Sequence, residues 1–227
     1  LPKKARDMAG AKKLMGDAGK LDFEHELITV DEEQYKKDDR YLLVDDVLSA
    51  LQKLANHHRR QMKIPFLAIT GSNGKTTTKE LIRGVLAKKY RTLATKGNLN
   101  NHIGVPLTIL SVSSDIEFAV IEMGANHQKE IESYCVIAEP DYGIITNVGK
   151  AHLEGFGGFE GVKKGKGELY QWIREKGKKI FINRNNQHLV EMSVRFNQDK
   201  LVSYGTSAEN YCSGKLLEEK PFLKVEW

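Results

Sequence analysis

The run Gly71-Ser72-Asn73-Gly74-Lys75-Thr76-Thr77-Thr78-Lys79-Glu80, entered from the apolar stretch Ile64-Pro65-Phe66-Leu67-Ala68-Ile69-Thr70, constrains the fold more than any other feature. It reads as strand, phosphate-binding loop and helix. The small residues Gly71, Ser72, Asn73 and Gly74 let backbone N–H groups turn inward around an anion. The following helix adds its positive N-terminal end, and Lys75 sets a cation on the phosphates. Thr76 offers a hydroxyl for Mg2+, so Gly71 through Thr77 form the candidate nucleotide-binding set. An ordinary Gly-containing turn with a helix cap does not require Gly-Lys-Thr directly after an apolar strand. The usual Gly-x4-Gly-Lys-[Ser/Thr] spacing would put a glycine at position 69, which is Ile69, so the loop is a shorter variant of the ATP-binding signature.

From Ile64 onward, short apolar runs alternate with helical patterns. Helices are predicted at about 75–89, 105–110, 128–138, 159–175 and 187–196, and strands at 64–70, 91–95, 118–123, 142–146, 179–182 and 201–204, with further strands near the end. Such alternation predicts an α/β fold, a mainly parallel sheet with helices on both faces and its active site at the carboxyl ends of the strands. Before Ile64 the chain is highly charged, with two apolar strand-like runs at 27–30 and 41–44. That is too little for an independent core. We therefore expect residues 1–62 to be the end of a preceding domain plus a linker helix over 47–60, and residues 63–227 to be an ATP-binding domain.

With 227 residues, 40% of them hydrophobic, the chain can bury a sizeable core. No stretch approaches the ~20 apolar residues of a membrane span, and the N-terminus lacks a secretory core, so a cytoplasmic protein without membrane insertion is expected. Cys135 and Cys212 read as two reduced thiols. The net charge of +5 favours anionic partners. The sharpest basic cluster, His57-His58-Arg59-Arg60, ends an amphipathic pattern and complements a helix C-terminus. No aromatic residues interleave with it, so nucleic acid is not expected as a partner.

The strand ends carry further chemistry. Glu122 stands where Phe118-Ala119-Val120-Ile121 opens into Met123-Gly124-Ala125-Asn126. Alone it reads as a solvated cap; beside a phosphate loop it is a candidate Mg2+ ligand, a hard oxygen donor next to the nucleotide. His152, in the Gly-rich stretch 149–157, reads either as structural or as a ligand at the same sheet edge. Lys166 belongs to a run of lysines, with Lys163 and Lys164, that by pattern reads as a solvated helix face.

Together the stretches Thr95–Leu110 (TKGNLNNHIGVPLTIL), Glu122–Ile131 (EMGANHQKEI), Ile145–Gly157 (ITNVGKAHLEGFG) and Gly161–Leu169 (GVKKGKGEL) resemble the Mur ligases, the ATP-dependent amide-forming enzymes of peptidoglycan synthesis, and look most like the MurF type. The resemblance covers 41–227. It implies ATP and Mg2+, with UDP-N-acetylmuramoyl-tripeptide and D-alanyl-D-alanine as substrates joined through an acyl phosphate. It implies that Lys75 holds phosphates, Thr76 and Glu122 one Mg2+ and His152 a second, and that Lys166 is the lysine that reacts with CO2 to become a carbamate. Asn98, Asn100 and Asn101 would line the substrate or metal region. The family often carries Asn-x-Asp-Asn after the strand near 182; here the run is Asn183-Arg184-Asn185-Asn186, without the acidic residue. By the family layout, most of an N-terminal domain and a whole C-terminal domain lie outside this chain, which alone is expected to be inactive. The remaining alternatives are another Mur ligase, a folylpolyglutamate synthase-like ligase, or a regulatory nucleotide-binding module.

Overall fold

A computed structural model describes residues 44–150 and 152–227. The expected strand-like run at 27–30, and that at 41–44 except for Val44, lie outside these. The chain order is α1 (Val47–Gln61), β1 (Phe66–Thr70), α2 (Lys75–Leu86), β2 (Thr92–Ala94), α3 (Gly104–Leu110), β3 (Phe118–Glu122), α4 (Glu130–Ala138) and β4 (Tyr142–Ile145). It continues with α5 (Leu153–Phe156), α6 (Phe159–Glu175), β5 (Lys179–Asn183), α7 (Gln187–Ser193), β6 (Leu201–Gly205), β7 (Cys212–Ser213), β8 (Lys215–Glu218) and β9 (Lys224–Glu226).

Seven strands form one parallel sheet in the order β2-β3-β1-β4-β5-β6-β7, and β8 and β9 form a separate antiparallel pair. The α/β reading with a mainly parallel sheet therefore holds. β1 lies between β3 and β4, and all five of its residues are buried, as a strand covered on both faces must be. The chain leaves β1 toward β2 on one side and leaves β4 toward β5 on the other. The loops after these neighbouring strands diverge and leave a crevice at their carboxyl ends.

Successive side chains of β1 point to opposite faces, and two cores result. Phe66 and Ala68 join Ala119, Ile121, Ile131, Leu169 and Ile180 in the larger core, beneath α1, α3, α4 and α6. Leu67 and Ile69 join Val120 and Ile144 in the smaller one, which Ile82 and Leu86 of α2 cover.

Helix α1 is capped by Asp46, whose carboxylate accepts the Ser49 N–H at 2.7 Å. Its Ala55 is wholly buried in the larger core. The basic cluster at its end does cap a helix C-terminus, but chiefly that of α4. Arg59 Nε donates to Ala138 O at 2.7 Å and an Arg59 terminal nitrogen to Glu139 O at 2.9 Å, while the guanidinium stacks 4.0 Å from the Phe66 ring centroid. Arg59 also pairs with Asp141 at 3.2 Å, and Arg60 with Glu139 at 2.7 Å.

The element ends differ from the sequence expectation by a few residues, as where the helix expected to run to 89 ends at Leu86. Helix α5 was not expected. It is a single turn between His152 and Gly157, both in the left-handed region, inside a stretch that reads as loop. Among the described residues no helix is long and apolar enough to cross a membrane. Both cysteines are free, Cys135 buried and Cys212 exposed.

Candidate functional site

The phosphate loop is built against the neighbouring strand end. Gly71, at φ 145°, follows β1 directly, and a Cβ there would lie 2.0 Å from Thr146 Oγ1. Only glycine permits this approach. The Ser72 N–H donates to Asn147 O at 3.1 Å and the Asn73 N–H to Asn147 Oδ1 at 3.1 Å, while Thr146 Oγ1 and Asn147 Nδ2 both donate to Asn73 O. Ser72 Oγ accepts the Gly149 N–H at 2.9 Å. Gly74 then takes φ 75° as the N-cap of α2, with no side chain capping the helix. The first bond into α2 runs from the Thr78 N–H to Gly74 O, so the amides of Lys75, Thr76 and Thr77 have no partner within the helix. Three free amides at a positive helix end are the elements of an anion site. Lys75 Nζ donates to Gly71 O at 2.9 Å and holds its charge over the loop; burial lowers its pKa, and Glu122 opposes that shift.

Glu122 is at the centre of the arrangement. It ends β3 beside Ile69 of β1 and is 1% exposed, so the solvated-cap reading is corrected. Its backbone N–H donates to Thr95 Oγ1 at 2.9 Å. Oε1 accepts from Asn100 Nδ2 at 2.7 Å and from Thr76 Oγ1 at 3.3 Å. Oε2 is buried without a hydrogen bond, and faces Lys79 Nζ at 3.7 Å, an ion-pair distance. An orphaned carboxylate oxygen beside a threonine hydroxyl at a phosphate loop is a donor set that fits Mg2+, which takes one or two protein oxygens together with phosphate oxygens. Among the described residues no three His, Cys, Asp or Glu side chains come together.

Lys166 corrects the solvated-face reading. It is 2% exposed on α6, and Nζ donates to Ala125 O at 3.1 Å and lies 5.1 Å from the Phe156 ring centroid. Gly161 and Gly165 allow Phe156 this position, since a Cβ on either would clash with it. Burial, then the Lys75 ammonium, bring the Lys166 pKa down to about 8. Glu168, two residues on, accepts the N–H groups of Lys129 and Glu132 and fixes the start of α4.

Three expected residues are not drawn into the cluster. Asn101 Oδ1 accepts the Ile103 and Gly104 N–H groups at the entry to α3. Asn98 is exposed in a turn and its carbonyl accepts the Asn100 N–H at 2.7 Å. His152, at φ 54°, is exposed at the start of α5, and its ring has no described hydrogen bond or ion pair. In the Asn-rich run after β5, Asn183 Oδ1 accepts the Asn185 N–H and Asn186 caps α7. The sequence reading missed Lys79, which is fully buried. Its spacing three and four residues after Thr76 and Lys75 puts all three on one face of α2, which could have marked it. A cleft of about 670 Å3 between α6 and α7, lined in part by Lys163, Lys164, Arg174 and Arg195, contains none of these residues. The convergence of donors, not volume, assigns the site.

Comparison with known proteins points to one family. The Mur ligase middle domain family model matches residues 69–225. A UDP-N-acetylmuramoyl-tripeptide–D-alanyl-D-alanine ligase of Bacillus subtilis is 44% identical over 141 residues, which are 62% of this chain and 31% of the relative. A MurF crystal structure from Acinetobacter baumannii superposes with TM-score 0.69 at 36% identity, covering 78% of this chain and 39% of that one. MurF ligase from Thermotoga maritima, in complex with ADP, superposes with TM-score 0.67 at 31% identity, covering 80% of this chain and 41% of that one. The chain therefore spans a third to two fifths of the length of these relatives. It belongs to the Mur ligase family, whose middle domain it carries.

Proposed function

We propose that this chain is the ATP-binding part of a MurF-type ligase. The whole enzyme would join D-alanyl-D-alanine to UDP-N-acetylmuramoyl-tripeptide in the cytoplasm, with residues 1–62 ending a domain that holds the UDP substrate and residues 63–227 forming the central domain. A C-terminal domain of the whole enzyme would complete the site. The observation that carries this reading is the meeting of Thr76, from the phosphate-loop helix, and Asn100, from the Asn-rich loop, on the one buried carboxylate of Glu122.

The chemistry asks for such a joint. A carboxylate is a poor electrophile, so the tripeptide carboxylate oxygen first attacks the γ-phosphorus of ATP and ADP leaves. The dipeptide amine then attacks the carbonyl carbon of the acyl phosphate, an amide forms, and phosphate and a proton depart. Two anions must approach in the first step. The amides of the Gly71–Thr77 loop and the Lys75 ammonium neutralise and orient the nucleotide, which is electrostatic stabilisation of charge where it develops. Thr76 and Glu122 would hold Mg2+, which when bound shields the phosphate oxygens. His152 would contact a second one from its exposed position at the start of α5, and Asn98, Asn100 and Asn101 would edge the acceptor region.

Lys166 fits the same reading. Burial lowers the Lys166 pKa to about 8, which favours the neutral amine relative to an ordinary lysine. Its nitrogen can attack the carbon of CO2, forming a C–N bond and losing a proton, to give a carbamate. That change replaces a buried cation by an oxygen donor. The test is phosphate release by an intact enzyme containing this segment. Release that requires ATP, the UDP-linked tripeptide and D-alanyl-D-alanine together supports the ligase; release indifferent to the dipeptide contradicts it and favours a nucleotide switch or a ligase for another amine.

A further inference from the structure

Lys79 has no part in the chemistry above, yet it is the most completely buried charged side chain of the site, 0% exposed on α2. A buried ammonium is costly unless compensated. Its Nζ lies 3.2 Å from Glu80 Oε1, 3.7 Å from Glu122 Oε2 and 3.4 Å from Gly97 O. Glu80 is half exposed and paired also with Arg83, so the buried partner of Lys79 is Glu122. The two oxygens of Glu122 are thus divided. Oε1 is held by neutral donors, Asn100 and Thr76, whereas Oε2 has only the Lys79 charge.

We propose that Lys79 is a positioning residue, an internal counter-ion that holds Glu122 for a divalent cation and deliberately limits how tightly that cation binds. The inference rests on the reading of Glu122 as a metal ligand. A cation arriving at Glu122 meets a carboxylate that already faces an ammonium at 3.7 Å, and is repelled by that ammonium, which is buried on the helix. Through Gly97 O, Lys79 also ties the metal ligand to the loop that carries Asn100. The result is a site that is stable before the nucleotide binds and that releases it after turnover.

The test uses this chain with Mn2+ and ADP as probes, Mn2+ binding being followed by electron paramagnetic resonance and nucleotide binding by calorimetry. Lys79→Met and Lys79→Gln are expected to bind Mn2+ in the presence of ADP at least about tenfold more tightly than the unaltered chain, because the carboxylate loses its competing cation. In the Glu122→Gln background, Lys79→Met should leave Mn2+ affinity unchanged. Equal or weaker Mn2+ binding by both single variants overturns the proposal, as does tightening of the same size without Glu122. If Lys79→Met does not fold, Lys79→Met/Glu122→Gln should recover a cooperative urea transition, since both buried charges are then gone; a double variant as destabilised as the single one contradicts the counter-ion role. Should Glu122→Gln alone leave Mn2+ binding intact, the metal reading itself fails, a result distinct from failure of the Lys79 inference.

Discussion

Asn100 Nδ2 donates to Glu122 Oε1 at 2.7 Å, and the Asn100 side chain fills the space that a Cβ on Gly124 would enter, its Oδ1 lying 2.8 Å from that position. Asn100→Ala removes a charge-assisted bond from a buried carboxylate, which should cost about 1.5–3 kcal/mol in urea unfolding. Gly124→Ala should displace the same side chain and lose a similar amount. Because one space and one bond underlie both losses, the double variant should be clearly more stable than the sum of the two predicts. Additive losses would mean that Gly124 does not act through Asn100.

Arg59 gives a prediction about the first helix. Its guanidinium serves Ala138 O, Glu139 O and Asp141 at once, at 8% exposure. Arg59→Met should destabilise the chain by about 3–5 kcal/mol by leaving these partners unmatched in a buried setting. Arg59→Lys should recover little, since an ammonium has no planar fork to reach both carbonyls and stacks less well on Phe66. A chemical-denaturation midpoint unchanged in Arg59→Met would show that α1 is held by its apolar face alone, and one unchanged in Arg59→Lys that the charge suffices without the fork.

What the sequence made legible followed from periodicity and spacing. The apolar run before Gly71 marks β1 because a central parallel strand is buried on both faces, and the small residues with Lys75 mark the loop. Burial of charge was hidden. Lys79 and Lys166 are wholly buried, yet a polarity pattern counts every lysine as solvent-facing, and it was resemblance rather than pattern that singled out Lys166. Glu122, taken without the neighbouring phosphate loop, reads as a strand cap for the same reason. The one-turn helix α5 was hidden because four residues bounded by left-handed positions carry no helical period. The asparagines look alike in sequence, but the backbone separates them: Asn101 is engaged by the N–H groups at the entry to α3, and Asn100 reaches Glu122.

Lys166 should give the chain a recognisable pH dependence. Its folded pKa, about 8, lies below the ordinary lysine value of 10.5, so the charged form is disfavoured in the native state. Below pH 8 both states hold the proton and the penalty is fully present. As pH rises from 8 toward 10.5 the native state loses the proton first, so stability rises. In CO2-free buffer, the unfolding free energy of the unaltered chain minus that of Lys166→Met should therefore climb by an amount on the order of 3 kcal/mol across this window. A difference flat with pH would show that the amine is charged or neutral in both states alike. Added bicarbonate at pH 8 should stabilise the unaltered chain and not Lys166→Met.

The central claim is that Gly71 to Thr77, with Lys75, form a nucleotide phosphate site. Calorimetric titration of this chain with Mg-ADP tests it most directly. The account predicts saturable binding that Lys75→Ala weakens at least about tenfold, as expected for loss of a charge-assisted contact worth about 1.5–3 kcal/mol, with the urea midpoint little changed. Mg-ADP binding of equal affinity in the unaltered chain and in a folded Lys75→Ala variant would contradict it.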